Sequence, residues 1–594
     1  MSSRFGTTLT CAVAGAVAGV VVALAVGASS RGVGCDVGFW LGAALGAGLP
    51  WRLPAASRWV LLAAPAFVGV RAALSAPIVA FALLAIVVGF ALNRPVAAVD
   101  DAPLPLPTWR ASLLPVGIVG IVAVVVHSAW SVTRHLRYGS GSWDYGCYVH
   151  NAWMFAHGDA FDLDARSAVL GDVAFWGGTN HFMPSLIVTA PIAWLMELAN
   201  STALLAVAQV VVVVAAVVPL TIAARARGVP PMVSTTLAAA FVFHVGVQAA
   251  LFFDVHEVAL APVLLLSILA LVDAAPTRCR VVVVVVVGLL LAGTKEGSWL
   301  YLAAVGTLLV LRRPGWRVVG AVGVVVGVVG FVVVVAVVQP ALLESGSAGM
   351  IHAARFAAVD DGPAGIGSAL RSWLLHPGRA LATLLSPVEK TATLSTSVLG
   401  FGALPLLSIE TLILGLPNLA ERFLADKREM WGLAYHYGLF TAAWLLWGAL
   451  DVVSVVLQRR LASARAVVVV IAAGMIASFA GSPRRPDLAN LAQNYFASAA
   501  DVARFDRALD VVVDSDAVVA QNHFLPHLAL RKNIWLPQQR FVERADVVVL
   551  DTAASAWPAS PAAIAAMVKR LQRDPRFEVA MHEETTWVFR RRRP

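Results

Sequence analysis

The sequence predicts an all-α polytopic membrane protein, about 13–15 transmembrane or re-entrant helices, followed by a small C-terminal α/β domain. Three observations carry this. Charged residues make up only 13% of the chain, where a soluble domain carries about 25%. Hydrophobic residues make up 59% and mean hydropathy is +0.79. Apolar runs recur along the chain until residue 481, where the composition changes.

A hydrocarbon core of about 30 Å needs roughly 20 apolar residues per helix. The first run, 7–29, is long for a signal-peptide core and is followed by further spans, so it reads as a retained anchor. With 36–50, 58–74 and 76–93 it forms an N-terminal four-helix block, residues 1–93. The Pro-rich, polar segment 94–110 is a linker. The main membrane domain, 111–481, contains spans near 111–130, 203–224, 232–252, 258–274, 281–294, 298–311, 317–338, 396–416, 436–456 and 464–481. Valine runs such as 281–287 are helical here, because lipid offers no partner for an unpaired backbone group.

Arginines set the orientation. Arg4, Arg52, Arg58 and Arg110 on the cytoplasmic side fit four crossings before the linker. The helix 111–130 then runs outward, and loops 131–180 and 340–395 face the extracytoplasmic side. A crossing at 182–199 would push Arg225 and Arg227 outside, so that segment reads as interfacial or re-entrant. Helix-flanking arginines account for the net charge of +9, which therefore does not point to nucleic acid. Four scattered cysteines (Cys11, Cys35, Cys147, Cys279) form no CxxC pair and suggest neither a disulfide framework nor a thiolate metal site. The Ala/Val/Gly/Arg bias suggests a high-GC bacterial genome, and with the apolar spans a multi-pass protein of the bacterial cytoplasmic membrane. In the tail, 482–594, short strands ("VVVDSDAVVAQ", "NIWLP", "ADVVVLD") alternate with amphipathic helices, the pattern of an extracytoplasmic α/β domain.

Polar residues collect at helix ends facing one compartment. The first loop supplies Arg134, Arg137, Asp144 and Tyr145. "GGTNHFMPSL" adds His181, "FFDVHEVAL" adds Asp254, His256 and Glu257, and "AGTKEGSWL" adds Lys295 and Glu296. These are the candidate site residues. Asp144 lies among aromatics near lipid, where partial desolvation raises a carboxylate's basicity. The bland alternatives are a solvated loop charge within an aromatic belt, and for Lys295 and Glu296 an adjacent ion pair. Asp254, His256 and Glu257 are metal-ligand types, but their spacing at a helix start is loose; a divalent metal is not favoured and no cofactor is assigned. His523 and His527 share a helix face with Pro526 between them, which favours a structural role. The sequence carries no Walker A, GxSxG or HExxH motif, so it supports neither ATP-driven transport nor serine hydrolysis.

The ordered segments "SWDYGCYVHNAWMFAHGD", "NHFMPSLIVTAPIAWL", "FFDVHEVALAPVLLL", "GTKEGSWLYLAAVGTLL", "PLLSIETLILGLPNLAERF" with "YHYG", and "VVAQNHFLPHLALRKNIWLP" with "ADVVVLD" resemble an uncharacterised bacterial family of predicted membrane proteins, a domain of unknown function. The resemblance covers about 111–555. That family in turn resembles the GT-C class of membrane glycosyltransferases, whose first long outer loop carries a catalytic acid. The resemblance implies a GT-C-like fold and a polyprenyl-phosphate-linked sugar donor. It implies an envelope glycan or protein acceptor, with Asp144 as general base. Where many GT-C enzymes have paired acids, this chain has Asp144 followed by Tyr145. Arg134, Arg137, His181 and Lys295 would then face the leaving phosphate, and Trp143, Tyr145 and Trp153 the sugar rings. The alternatives are a membrane transporter, with Glu410 and Gln209 as its intramembrane polar candidates, or a non-catalytic envelope-assembly or lipid-binding protein.

Overall fold

The computed structural model describes residues 106–158, 181–342, 366–481 and 497–592. The expected spans 7–29, 36–50, 58–74 and 76–93 lie outside the described residues, as do residues 94–105 of the linker.

Among the described residues, four helices are long and apolar enough to cross a membrane: Trp109–Leu136, Leu204–Ala226, Pro314–Ala341 and Gly438–Gln458. A fifth crossing forms if Pro231–Val242 and Val245–Phe252, bent by 44°, are counted as one. Shorter apolar helices, such as Ser298–Arg312 and Ala464–Phe479, pack beside them. Helix α1 (Trp109–Leu136) exposes Ile118, Ile121 and Val125, and Pro314–Ala341 exposes Val318, Val322 and Val325. Apolar surface this continuous requires a lipid or protein cover.

Two expected boundaries move. Helix α1 continues past 130 to Leu136 because its last polar side chains are satisfied inside the bundle. Ser131 Oγ donates to Leu251 O at 2.6 Å, and His135 bonds Ser140 Oγ and Thr202 Oγ1. Asp144 therefore sits eight residues past the helix (144 − 136), in the π-helical turn Ser142–Gly146 that opens helix α2, Cys147–His157. The expected span 396–416 is broken into Val388–Leu399 and Ile409–Phe423. Gly402 and Ala403 take positive φ (64° and 59°), and Ser408 caps the second helix by accepting from Glu410 N.

The bend at Phe243–His244 has an identifiable cause. His244 caps Val245–Phe252 by accepting the Gly246 N–H, and its other ring nitrogen donates to Ser397 O. Gly246 lies against Gly438, where an added Cβ would fall 2.5 Å from the Gly438 carbonyl oxygen. This close backbone approach seats the bent helix on Gly438–Gln458, which runs through the core with Trp447 fully buried.

At the end of the bundle away from Asp144, charges clamp the helix termini together. Arg227 forks onto Asp273 (2.6 and 2.9 Å), and Arg313 joins Asp273 to the fully buried Glu410 (both 2.9 Å). Trp447 Nε1 donates to the other Glu410 oxygen at 2.7 Å.

The C-terminal part is a five-stranded sheet in the order β2-β1-β3-β5-β4. Strands β1 (Val518–Ala520), β2 (Ile534–Trp535) and β3 (Val547–Asp551) are parallel. β5 (Thr586–Arg591) and β4 (Phe577–Glu583) add antiparallel. One face packs on helix Pro561–Leu571 through Ile564 and Val568. The other face forms one apolar cluster with the chain after α1, joining Val518, Phe524 and Leu525 to Tyr138, Tyr145 and Tyr148. Within it His523 is buried and His527 half-buried, among Tyr138, Phe505 and Phe524. Burial lowers His523 to about 4 and His527 to about 3. Their unfolded counterparts take up protons near 6.5. The resulting penalty on the folded state is absent above about 6.5, grows as pH falls, and levels off only near 3. The thermal midpoint should therefore fall between pH 7 and pH 5, and His527→Phe should flatten that slope. A variant with the wild-type slope would remove His527 from acid sensitivity.

Candidate functional site

The turn carrying Asp144 is held from three directions. Gly141 N donates to Asp254 Oδ2 at 3.0 Å, and Arg134, from the last turn of α1, donates to Asp254 Oδ1 at 2.5 Å. Ser142 N and Oγ both donate to Asn522 Oδ1 in the sheet domain, at 2.8 and 2.6 Å. Gly146 lies against Leu525, whose Cδ2 would be 2.6 Å from an added Cβ. Asp144 keeps a quarter of its side chain exposed, and its Oδ1 lies 3.4 Å from His256 Nε2. Among the described residues the other carboxylate oxygen has no protein partner.

His256 is placed by its own backbone. Its N–H is accepted by Gln209 Oε1 at 2.9 Å, and its Nδ1 donates to Asp254 O at 3.1 Å. A carbonyl can only accept, so Nδ1 carries a proton and Nε2 is left to face Asp144. Burial works against a second proton on this ring, but Asp144 and then Glu257 outweigh it and raise its pKa. The His256 ring thus presents its Nε2 edge to the Asp144 carboxylate at 3.4 Å. His436 stacks on it with centroids 3.5 Å apart. Burial, and then the His256 charge, hold His436 well below the ordinary imidazole range.

Beneath this pair lie alternating charges. Tyr148 hydroxyl donates to Glu257 Oε2. Lys295 Nζ lies 3.8 Å from Glu257 and 3.4 Å from Glu421. Burial opposes its charge, but Glu421, then Glu257 and Glu296, hold its pKa above the ordinary lysine value. His181 donates to Glu296 at 2.7 Å. Lys295, Tyr301, Glu421, Arg422 and His436 line a small cavity with room for about one water. Among the described residues no three His, Cys, Asp or Glu side chains are grouped to hold a metal ion.

Asp144, Asp254, His256, Glu257 and Lys295 thus meet at one end of the bundle, with His181 and Glu296 beside them. Two expected residues turn elsewhere. Tyr145 is buried, stacked on His135, with its hydroxyl donating to Thr202 O and accepting from Ala206 N, which is a packing role. Arg137 reaches the sheet domain and donates to Ala497 O. Residues that sequence reasoning left unassigned complete the site: His436, Glu421, Tyr148 and Asn522. The signal for His436 was its place in "YHYG", at the mouth of an apolar helix.

No curated protein matches the chain. The family model described as "Predicted membrane protein (DUF2079)" matches residues 134–586, a range that takes in every residue of the site above. The chain therefore belongs to the DUF2079 family of predicted membrane proteins, whose function is unknown.

Proposed function

We propose that this protein is a GT-C-like glycosyltransferase of the bacterial cytoplasmic membrane, moving a sugar from a polyprenyl-phosphate donor to an envelope acceptor on the outer face. The observation that carries the reading is Asp144: a part-exposed carboxylate, braced by His256 and open on one oxygen, above a buried charged cluster. In this reading Asp144 takes the proton of an acceptor hydroxyl as that oxygen attacks the anomeric carbon. The bond from that carbon to the lipid phosphate breaks, and the phosphate leaves with its electron pair. One base on the attacking face suits inversion.

Among the expected phosphate-facing cations, Arg134 and His181 are committed to carboxylates at hydrogen-bond distance. Lys295 is held only at 3.4 and 3.8 Å, and we assign the leaving phosphate to it. The transporter alternative gains no support from its intramembrane candidates. Glu410 serves the arginine clamp, and Gln209 holds the His256 backbone. The clamp's arginines at the far end of the bundle favour the outward placement of Asp144.

The test is Asp144→Asn in the native host, read by profiling lipid-linked sugars and envelope glycans. Loss of one glycan species with accumulation of its lipid-linked donor is expected; an unchanged profile at normal protein level removes Asp144 from the mechanism. Reporter fusions at Gly158 and Pro558 should both report outside, and a cytoplasmic signal from either defeats the outer-face assignment.

A further inference from the structure

Strand order in the C-terminal sheet points to a second part of this site. From β1 the chain crosses to β2 on one side and returns to β3 on the other, so the switch point lies between β1 and β3. In parallel sheets of this kind the crevice outside the carboxyl ends at the switch point is where ligands bind. Here those ends are Gln521–Asn522 after β1 and the 551–557 loop after β3. Gln521 ties them together, accepting from Asp551 N and donating to Ser555 O, both at 2.8 Å. The crevice opens directly onto the Asp144 turn: Asn522 accepts from Ser142, and Trp557 sits edge-to-face on Trp143 with centroids 5.4 Å apart.

The groups left over at this seam share one chemistry. Trp557 is 49% exposed. Among the described residues neither indole N–H, nor the amide nitrogen of Asn522, nor the second oxygen of Asp144 has a hydrogen-bond partner. Flat aromatic faces beside neutral donors and one carboxylate suit a ring with an apolar face and hydroxyls on its rim. A phosphate would first meet the Asp144 carboxylate, a like charge. An apolar chain would bury the donors unpaired, which is unfavourable.

We propose that this seam is a saccharide-acceptor subsite, with Trp143 and Trp557 as its stacking walls and Asn522 as the amide that orients the ring toward Asp144. This rests on the transferase reading above, and it gives the C-terminal domain its role: presenting the acceptor to a base carried by the membrane domain.

The test uses the full chain in lipid nanodiscs on an array of neutral bacterial oligosaccharides of three to six sugars. The wild type should bind at least one of them. Trp557→Ala should weaken that binding about tenfold or more, and Trp557→Phe should restore most of it. Both variants should keep the wild-type thermal midpoint, since Trp557 is half exposed. No saccharide bound by the wild type, or equal binding by Trp557→Ala, overturns the subsite. Failure of the transferase reading shows separately, as an unchanged glycan profile in Asp144→Asn cells whose purified protein still binds the array in a Trp557-dependent way.

Discussion

Asp144→Asn is expected to lower sugar transfer by about 10²–10⁴-fold, the range that one positioned general base supplies. The substitution keeps the shape and the place of the side chain. The Asn amide can still pair with His256, its Nδ2 donating to the bare Nε2, so the turn held by Asp254 and Asn522 should stay folded. What is lost is the one part-exposed carboxylate oxygen at the seam. Donor binding should be unchanged, because Lys295, His181 and the Glu257 cluster do not touch Asp144 by hydrogen bond. The checking measurement is transfer from a radiolabelled polyprenyl-phosphate sugar in membranes, with donor retention measured alongside. Wild-type transfer by the Asn variant would leave Asp144 as a loop anchor only.

Asp254→Ala is expected to cost about 3–5 kcal/mol, the loss that follows when a buried ion pair is broken from one side. Asp254 is almost fully buried and serves two partners, Arg134 and Gly141 N. Its removal strands the Arg134 guanidinium, whose other neighbour is the Phe253 ring at 5.7 Å. Replacing both members by apolar residues, Asp254→Leu with Arg134→Met, should recover most of the loss, since no uncompensated charge then remains. Transfer should not recover with it, because the Gly141 amide still lacks its acceptor and the Asp144 turn is freed. Denaturant unfolding in detergent checks the first part. An Asp254→Ala protein as stable as the wild type would mean the pair does not hold the loop.

Much of this was legible along the chain. Lipid forces backbone hydrogen bonds inward, so apolar runs such as 203–224 and 436–456 can only be helices. The alternation of short apolar strands with amphipathic helices after residue 481 announced a sheet domain. Charge scarcity made Asp144, Asp254, His256, Glu257 and Lys295 conspicuous, and all of them meet at one end of the bundle. Helix ends were less legible, because local propensity does not set them. Whether α1 stops near 130 or at Leu136 depends on Leu251 O and Thr202 Oγ1 being there to satisfy Ser131 and His135.

The sequence by itself determined which segments bury in an apolar phase and which side chains are too costly to leave there unpartnered, since both follow from composition and spacing. Only the tertiary structure decided how those side chains are used. It committed Arg134 to Asp254, stacked His436 on His256, and turned Tyr145 from a sugar-facing candidate into packing. It also set Asn522 against Ser142, 380 residues apart in the chain. A hydrogen bond is made or lost within a few tenths of an ångström, and at such separations that distance is fixed by the packing of every helix between.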